Sequence, residues 1–110
     1  MDFIREKRAP RVHEINIAGI DEPIYIRELS GAAYRDITEL CAKEDGSEKS
    51  KFDQMALLVC FSNCDKDGNL LQTAADAGAI LDAMTGKQLA EFAGKIWSVN
   101  DLSGDDAKKN

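Results

Sequence analysis

Apolar residues fall on two different periods along this chain, and the change from one to the other sets out its elements. From Arg11 the period is two: His13, Ile15 and Ile17 alternate with Glu14 and Asn16, and Ile24 and Ile26 alternate with Tyr25 and Arg27. Between these runs lies Ala18-Gly19-Ile20-Asp21-Glu22-Pro23, rich in turn residues. The pattern predicts a β-hairpin, with Pro23 just before the second strand, where its missing N–H does least harm. A lone hairpin is marginal in water, so its apolar face must be covered by helices or by a neighbouring subunit.

After Ser30, a plausible N-cap, the period becomes helical. Tyr34, Ile37, Leu40 and Cys41 predict a first helix over about residues 31 to 44. Glu44 to Lys51 is polar and carries Gly46, which predicts a loop. Phe52 to Asn63 is apolar nearly all round and too long for a strand, so it reads as a buried central helix, although Leu58 to Phe61 alone would also suit a strand. Asn63 to Gln72 reads as a polar turn. Thr73 with Asp76 three residues later resembles a helix start, and a third helix is expected to about Met84. Thr85-Gly86-Lys87-Gln88 is a capping box opening a fourth helix to about Asn100, with Leu89, Phe92, Ala93, Ile96 and Val99 as its stripe. The expected fold is therefore α+β and mainly helical: an N-terminal β-hairpin followed by about four helices. Residues 1–10 read as a flexible basic arm, 11–102 as a single domain and 103–110 as a disordered polar tail.

Composition narrows the function. A chain of 110 residues is one domain, too short for a doubly wound nucleotide-binding fold or a (β/α) barrel. Its longest strongly apolar run, Met55 to Phe61, is far below the roughly 20 residues that cross a bilayer. The net charge of −6 argues against broad nucleic-acid binding, which needs Lys and Arg against phosphates. The charge is uneven, however. Residues 1 to 13 hold Arg5, Lys7, Arg8 and Arg11 against Asp2 and Glu6, a net +2, so the rest carries −8. Such an arm is able to dock on an acidic neighbour, including another copy of the chain.

Candidate chemistry is sparse. Cys41, Cys60 and Cys64 are odd in number and read as reduced, buried thiols, with Cys60 and Cys64 on one face if the helix runs on. With His13 the only histidine and no Cys-x-x-Cys pair, neither a zinc site nor a Cys–His nucleophile is supported. Asn63-x-Asp65-x-Asp67-Gly68-x-Leu70 reproduces the first eight positions of an EF-hand calcium loop, but Ala74 stands at position twelve, where a bidentate Glu is required. Asn63, Asp65 and Asp67 are thus a weak decoy, and the same residues suit an ordinary exposed turn. No catalytic cluster, phosphate loop or cofactor motif emerges, so the chain is not expected to be an enzyme. Trp97 lies about 80° from the middle of the fourth helix's stripe, beside the small Ala90 and Ala93. It reads either as local core or as an anchor for a partner. The candidates for partner binding are Trp97 with Phe92 and Ile96, and the arm's Arg5, Lys7 and Arg8.

The order of these parts resembles a known family. A basic arm leads to a hairpin reaching Tyr25-Ile26-Arg27-Glu28-Leu29-Ser30 and then a helix. A central Leu-Leu-Val-Cys helix, Leu57 to Cys60, runs into Asp65-Lys66-Asp67-Gly68-Asn69-Leu70-Leu71, and two more helices end at Val99-Asn100-Asp101-Leu102-Ser103. Over about residues 11 to 110 this is similar to the tail assembly chaperones of long-tailed bacteriophages. The resemblance implies a non-catalytic protein of the host cytoplasm, without a cofactor, that coats the tape measure protein. It would keep that protein soluble while the tail tube polymerises and be absent from the finished tail. It also implies self-association, and contact with the tail tube protein through a longer form made by programmed frameshifting. Lys108-Lys109-Asn110 fits that expectation, because AAA AAA AAC contains a heptamer on which ribosomes slip back one base. On this reading the chain is the short, unshifted product. Another class remains open: a generic prophage or bacterial protein-interaction adaptor or, more distantly, a calcium-responsive module.

Overall fold

The computed structural model describes residues 11–100. The arm expected at 1–10, with Arg5, Lys7 and Arg8, and the tail expected at 103–110 lie outside the described residues. The architecture is α+β and mainly helical. Strands β1 (Val12–Ile15) and β2 (Ile24–Arg27) form the expected antiparallel hairpin, in a register that sets His13 opposite Ile26 and Ile15 opposite Ile24. The turn between them uses Gly19 at φ +88°, a left-handed conformation that glycine adopts without strain. A third strand, β3 (Asn63–Cys64), pairs antiparallel with the other edge of β2, giving the order β1-β2-β3.

Among the described residues, four α-helices follow the hairpin: α1 (Gly31–Cys41), α2 (Lys51–Ser62), α3 (Ala77–Ala83) and α4 (Gly86–Val99). Local chemistry accounts for their ends. Ser30 caps α1, its side chain accepting from the Ala33 N–H. This helix stops three residues short of the expected 44, because the Cys41 carbonyl accepts from the Lys49 N–H at 2.7 Å and Ala42 pairs across to Glu48. Ser50 caps α2 by accepting from the Asp53 N–H. Both halves of the predicted box at α4 form: the Thr85 side chain accepts from the Gln88 N–H at 3.0 Å, and Gln88 Oε1 accepts from the Thr85 N–H at 3.1 Å. The third helix is shorter than expected. It begins as a 3-10 turn (Ala74–Asp76), in which the Asp76 carboxylate accepts from the Thr73 N–H at 2.8 Å.

The largest departure from the sequence reading is at residues 63–72. Helix α2 ends at Ser62, not beyond it, and the chain turns into β3 and a tight hairpin that returns through Leu70 opposite Cys64. Cys60 and Cys64 therefore sit on different elements rather than on one helix face. Ser62 explains the break: it is fully buried, and its hydroxyl donates to the Arg27 carbonyl at 2.9 Å, tying the helix end to β2.

The core lies between the sheet and the helices. Helix α2 is buried continuously from Ala56 to Cys60 and packs against α1, α3 and α4, which explains its all-round apolar sequence. Ile15, Ile17 and Ile26 from the hairpin meet Val59, Leu89, Phe92 and Ile96 in one cluster. The hairpin is thus covered by helices of its own chain. Among the described residues, no helix is long and apolar enough to cross a membrane.

Candidate interaction surfaces

The sequence-predicted partner residues of α4 separate into two groups. Phe92 is 3% exposed and Ile96 is fully buried, both inside the core cluster. As exposed partner contacts they are corrected: their face of α4 is turned against α2 and the sheet, and only Phe92 reaches the floor of a surface cleft. Trp97 is 39% exposed. Its indole stacks on Tyr34 of α1, with ring centroids 6.3 Å apart and planes 17° from parallel. Tyr34 therefore fills the room beside the indole. It had been read from the sequence only as part of the α1 stripe, and no local signal links residues so far apart.

Beside this stack, a groove of about 340 Å³ opens between α1, the α1–α2 loop and α2. Ile37, Cys41, Leu58 and Trp97 line its apolar part, and Glu48 and Gln54 its polar part. The Tyr34 hydroxyl is buried and lacks a hydrogen-bond partner among the described residues. Burial first, and the negative charge of Glu28 second, push its pKa above the usual tyrosine value, so it stays a neutral phenol.

A second apolar surface lies on another side of the molecule. Leu71, 57% exposed, stands at the end of the 63–72 hairpin and lines two clefts at once. One cleft, of about 380 Å³, runs along Ile20, Ile24 and Tyr25 of the N-terminal hairpin. The other, of about 440 Å³, runs along Ala79, Ile80, Ala83 and Met84 at α3. The sequence reading treated 63–72 as a polar turn and overlooked this leucine; the apolar pair Leu70-Leu71 closing a polar run was the available signal. Leu40 at 36%, Phe52 at 48% and Leu70 at 36% are the other large apolar side chains left exposed among the described residues.

The side chains of Asn63 and Asp65 are occupied in building their own turn, which Asp67 joins through its backbone N–H. The Asn63 amide donates to Gln72 Oε1 at 2.8 Å. The Asp65 carboxylate accepts from the Asp67 N–H at 2.9 Å and from the Asn69 N–H at 3.0 Å, and these bonds, led by Asn69, hold its pKa below the usual carboxylate range. Gly68 takes φ +92° and its carbonyl accepts from the Arg27 guanidinium at 3.0 Å. Among the described residues no group of three His, Cys, Asp or Glu side chains is placed to hold a metal ion.

All three thiols are free and buried. Burial raises their pKa values, and Cys60 is pushed up to about 11 with the nearby Asp76 charge adding to the effect, so none is an activated nucleophile. His13 is engaged with Glu28, Nε2 to Oε2 at 2.7 Å, where Arg11 also approaches. This group joins the two strands of the hairpin. Comparison of the chain with protein-family models, with curated proteins and with solved structures gave no match.

Proposed function

We propose that this chain is a non-catalytic binding protein of phage tail assembly, a chaperone that holds the tape measure protein in soluble form until the tail tube polymerises round it. The observation that supports this reading most is the set of large apolar side chains, Leu71 and Trp97 foremost, left exposed on a small chain of net charge −6. Exposed apolar side chains that border apolar clefts, as Leu71 and Trp97 each do, offer a site of contact with another molecule. The acidic remainder keeps such a protein dispersed while that surface is open, and keeps a coated client dispersed in turn. A surface only partly apolar also suits a contact that must later be released to tube subunits.

The layout supports the same reading. A hairpin, a helix, a central buried helix leading into the Asp65–Leu71 turn, and two closing helices follow in the order that the resemblance implies. The three thiols are buried and His13 is paired with Glu28, which suits a protein whose work is contact rather than bond making.

The test is co-expression with the tape measure protein of the same phage. In the presence of the chain, that protein moves from the pellet to the supernatant and co-purifies with it. A tape measure protein that stays in the pellet, or that is soluble alone and does not co-purify, overturns the proposal.

A further inference from the structure

We propose that the two clefts flanking Leu71 form a docking face for a cationic amphipathic helix, with Leu71 as the knob that enters the hollow between its successive turns. The inference rests on the reading of this chain as a binding protein and names the chemistry of what it binds.

The face has the shape such a helix needs. Leu71 projects from the hairpin between two apolar channels that share Asn63 and Leu71 as their common wall. On the α3 side the exposed residues are Ala79 and Ala83, one helical turn apart, whose small side chains allow a second helix backbone to come close. On the hairpin side, Ile24 and Tyr25 are half-buried and offer apolar contact. A protruding leucine between shallow apolar channels matches the i, i+3, i+4 relief of a helix rather than the flat edge of a strand.

Charge selects among helices. The charged residues lining the two clefts are Glu22, Asp65 and Asp76 against the single Lys66. Asp21 beside Glu22, Asp67 two residues from Asp65, and Asp82 beside Ala83 are all exposed and extend the acidic border. Asp65 and Asp76 are held in place by hydrogen bonds from Asn69 and Thr73, which fix their negative charge at the rim. An apolar stripe bordered by Lys or Arg is complementary to this face, and one bordered by Asp or Glu is repelled by it.

The test uses two labelled synthetic helices of about 18 residues with the same leucine spacing, one otherwise rich in Lys and one in Glu. Fluorescence anisotropy follows their binding to the full chain. The Lys helix is expected to bind and the Glu helix not, with affinity falling at least about tenfold as salt rises from about 50 to about 500 mM. Leu71→Ser and Ala79→Arg, both at exposed positions, are each expected to weaken binding about tenfold or more, while circular dichroism remains that of the parent. Equal binding of both helices removes the charge argument and overturns the proposal. Undiminished binding in both variants places the helix elsewhere and also overturns it. Sedimentation of the chain alone decides the remaining occupant: an oligomer that Leu71→Ser dissociates means that a second copy covers the face, against the proposal. If the synthetic helices fail while the tape measure protein is still rendered soluble, this inference falls and the broader function stands.

Discussion

Phe92 and Trp97 are five residues apart on α4 and about 140° apart round its axis, and they show what each side of that helix is for. Phe92 faces α2 and the sheet among Ile15, Val59 and Leu89, where exclusion of water is nearly complete. Trp97 faces α1, with one aromatic neighbour and an open groove beyond it. The apolar stripe of α4 thus holds the domain together on one side and leaves its flank open on a groove. Burial distinguishes them, whereas residue type does not.

The comparison is broken most directly at Phe92. Phe92→Ala is expected to cost about 3–5 kcal/mol in urea unfolding, by the lost transfer energy and the cavity left behind. A loss below about 1 kcal/mol would mean that this side of α4 is not sealed. Trp97→Ala is expected to cost about 1 kcal/mol, mostly the stack on Tyr34. A cost equal to that of Phe92→Ala would place Trp97 in the core and close the groove. The thiols extend the comparison to a rate. Cys41 lines the groove, whereas Cys60 and Cys64 are 1% exposed. With a thiol reagent at about pH 8, Cys41 should react first and the other two only as the domain unfolds, because burial holds all three protonated. Simultaneous labelling in the folded protein would contradict this order. The smallest effect belongs to Tyr34→Phe. Its hydroxyl is buried without a partner among the described residues, so removing it should be neutral or stabilising by up to about 1 kcal/mol in the same unfolding measurement. A clear loss of stability would show that the hydroxyl is hydrogen-bonded in solution.

How far the chain could be read in advance depended on how local the cause was. The Thr85–Gln88 box and the Ser30 cap are decided within four residues, and both form as their spacing predicts. Helix α2 was legible because its apolar residues go all round. The end of α1 was not, since the Cys41 carbonyl is taken by Lys49 across a loop. Strand β3 was hidden for the same reason: two residues carry no period, and their pairing depends on β2, nearly 40 residues earlier. The candidate surfaces follow that rule. Trp97 was visible as a tryptophan on the flank of a stripe, but Phe92 and Ile96 could be assigned to the core only once α2 and the sheet were in place. Leu71 gained its position from a hairpin whose Asp and Gly residues also imitate half a calcium loop.

The side-chain amide of Gln88 has a consequence for which sequences this fold accepts. Its oxygen closes the start of α4, while its nitrogen donates to the Ala18 carbonyl at 3.2 Å, in the turn of the N-terminal hairpin. A Cβ at Gly19 would come within 2.8 Å of that nitrogen, on a backbone already at φ +88°. Glutamate, nearly identical in shape, would keep the helix cap but set an oxygen against the Ala18 carbonyl. The turn therefore reads two letters: a glycine at 19, demanded by the left-handed backbone, and an amide at 88, which alone can serve the helix start and the hairpin carbonyl at once.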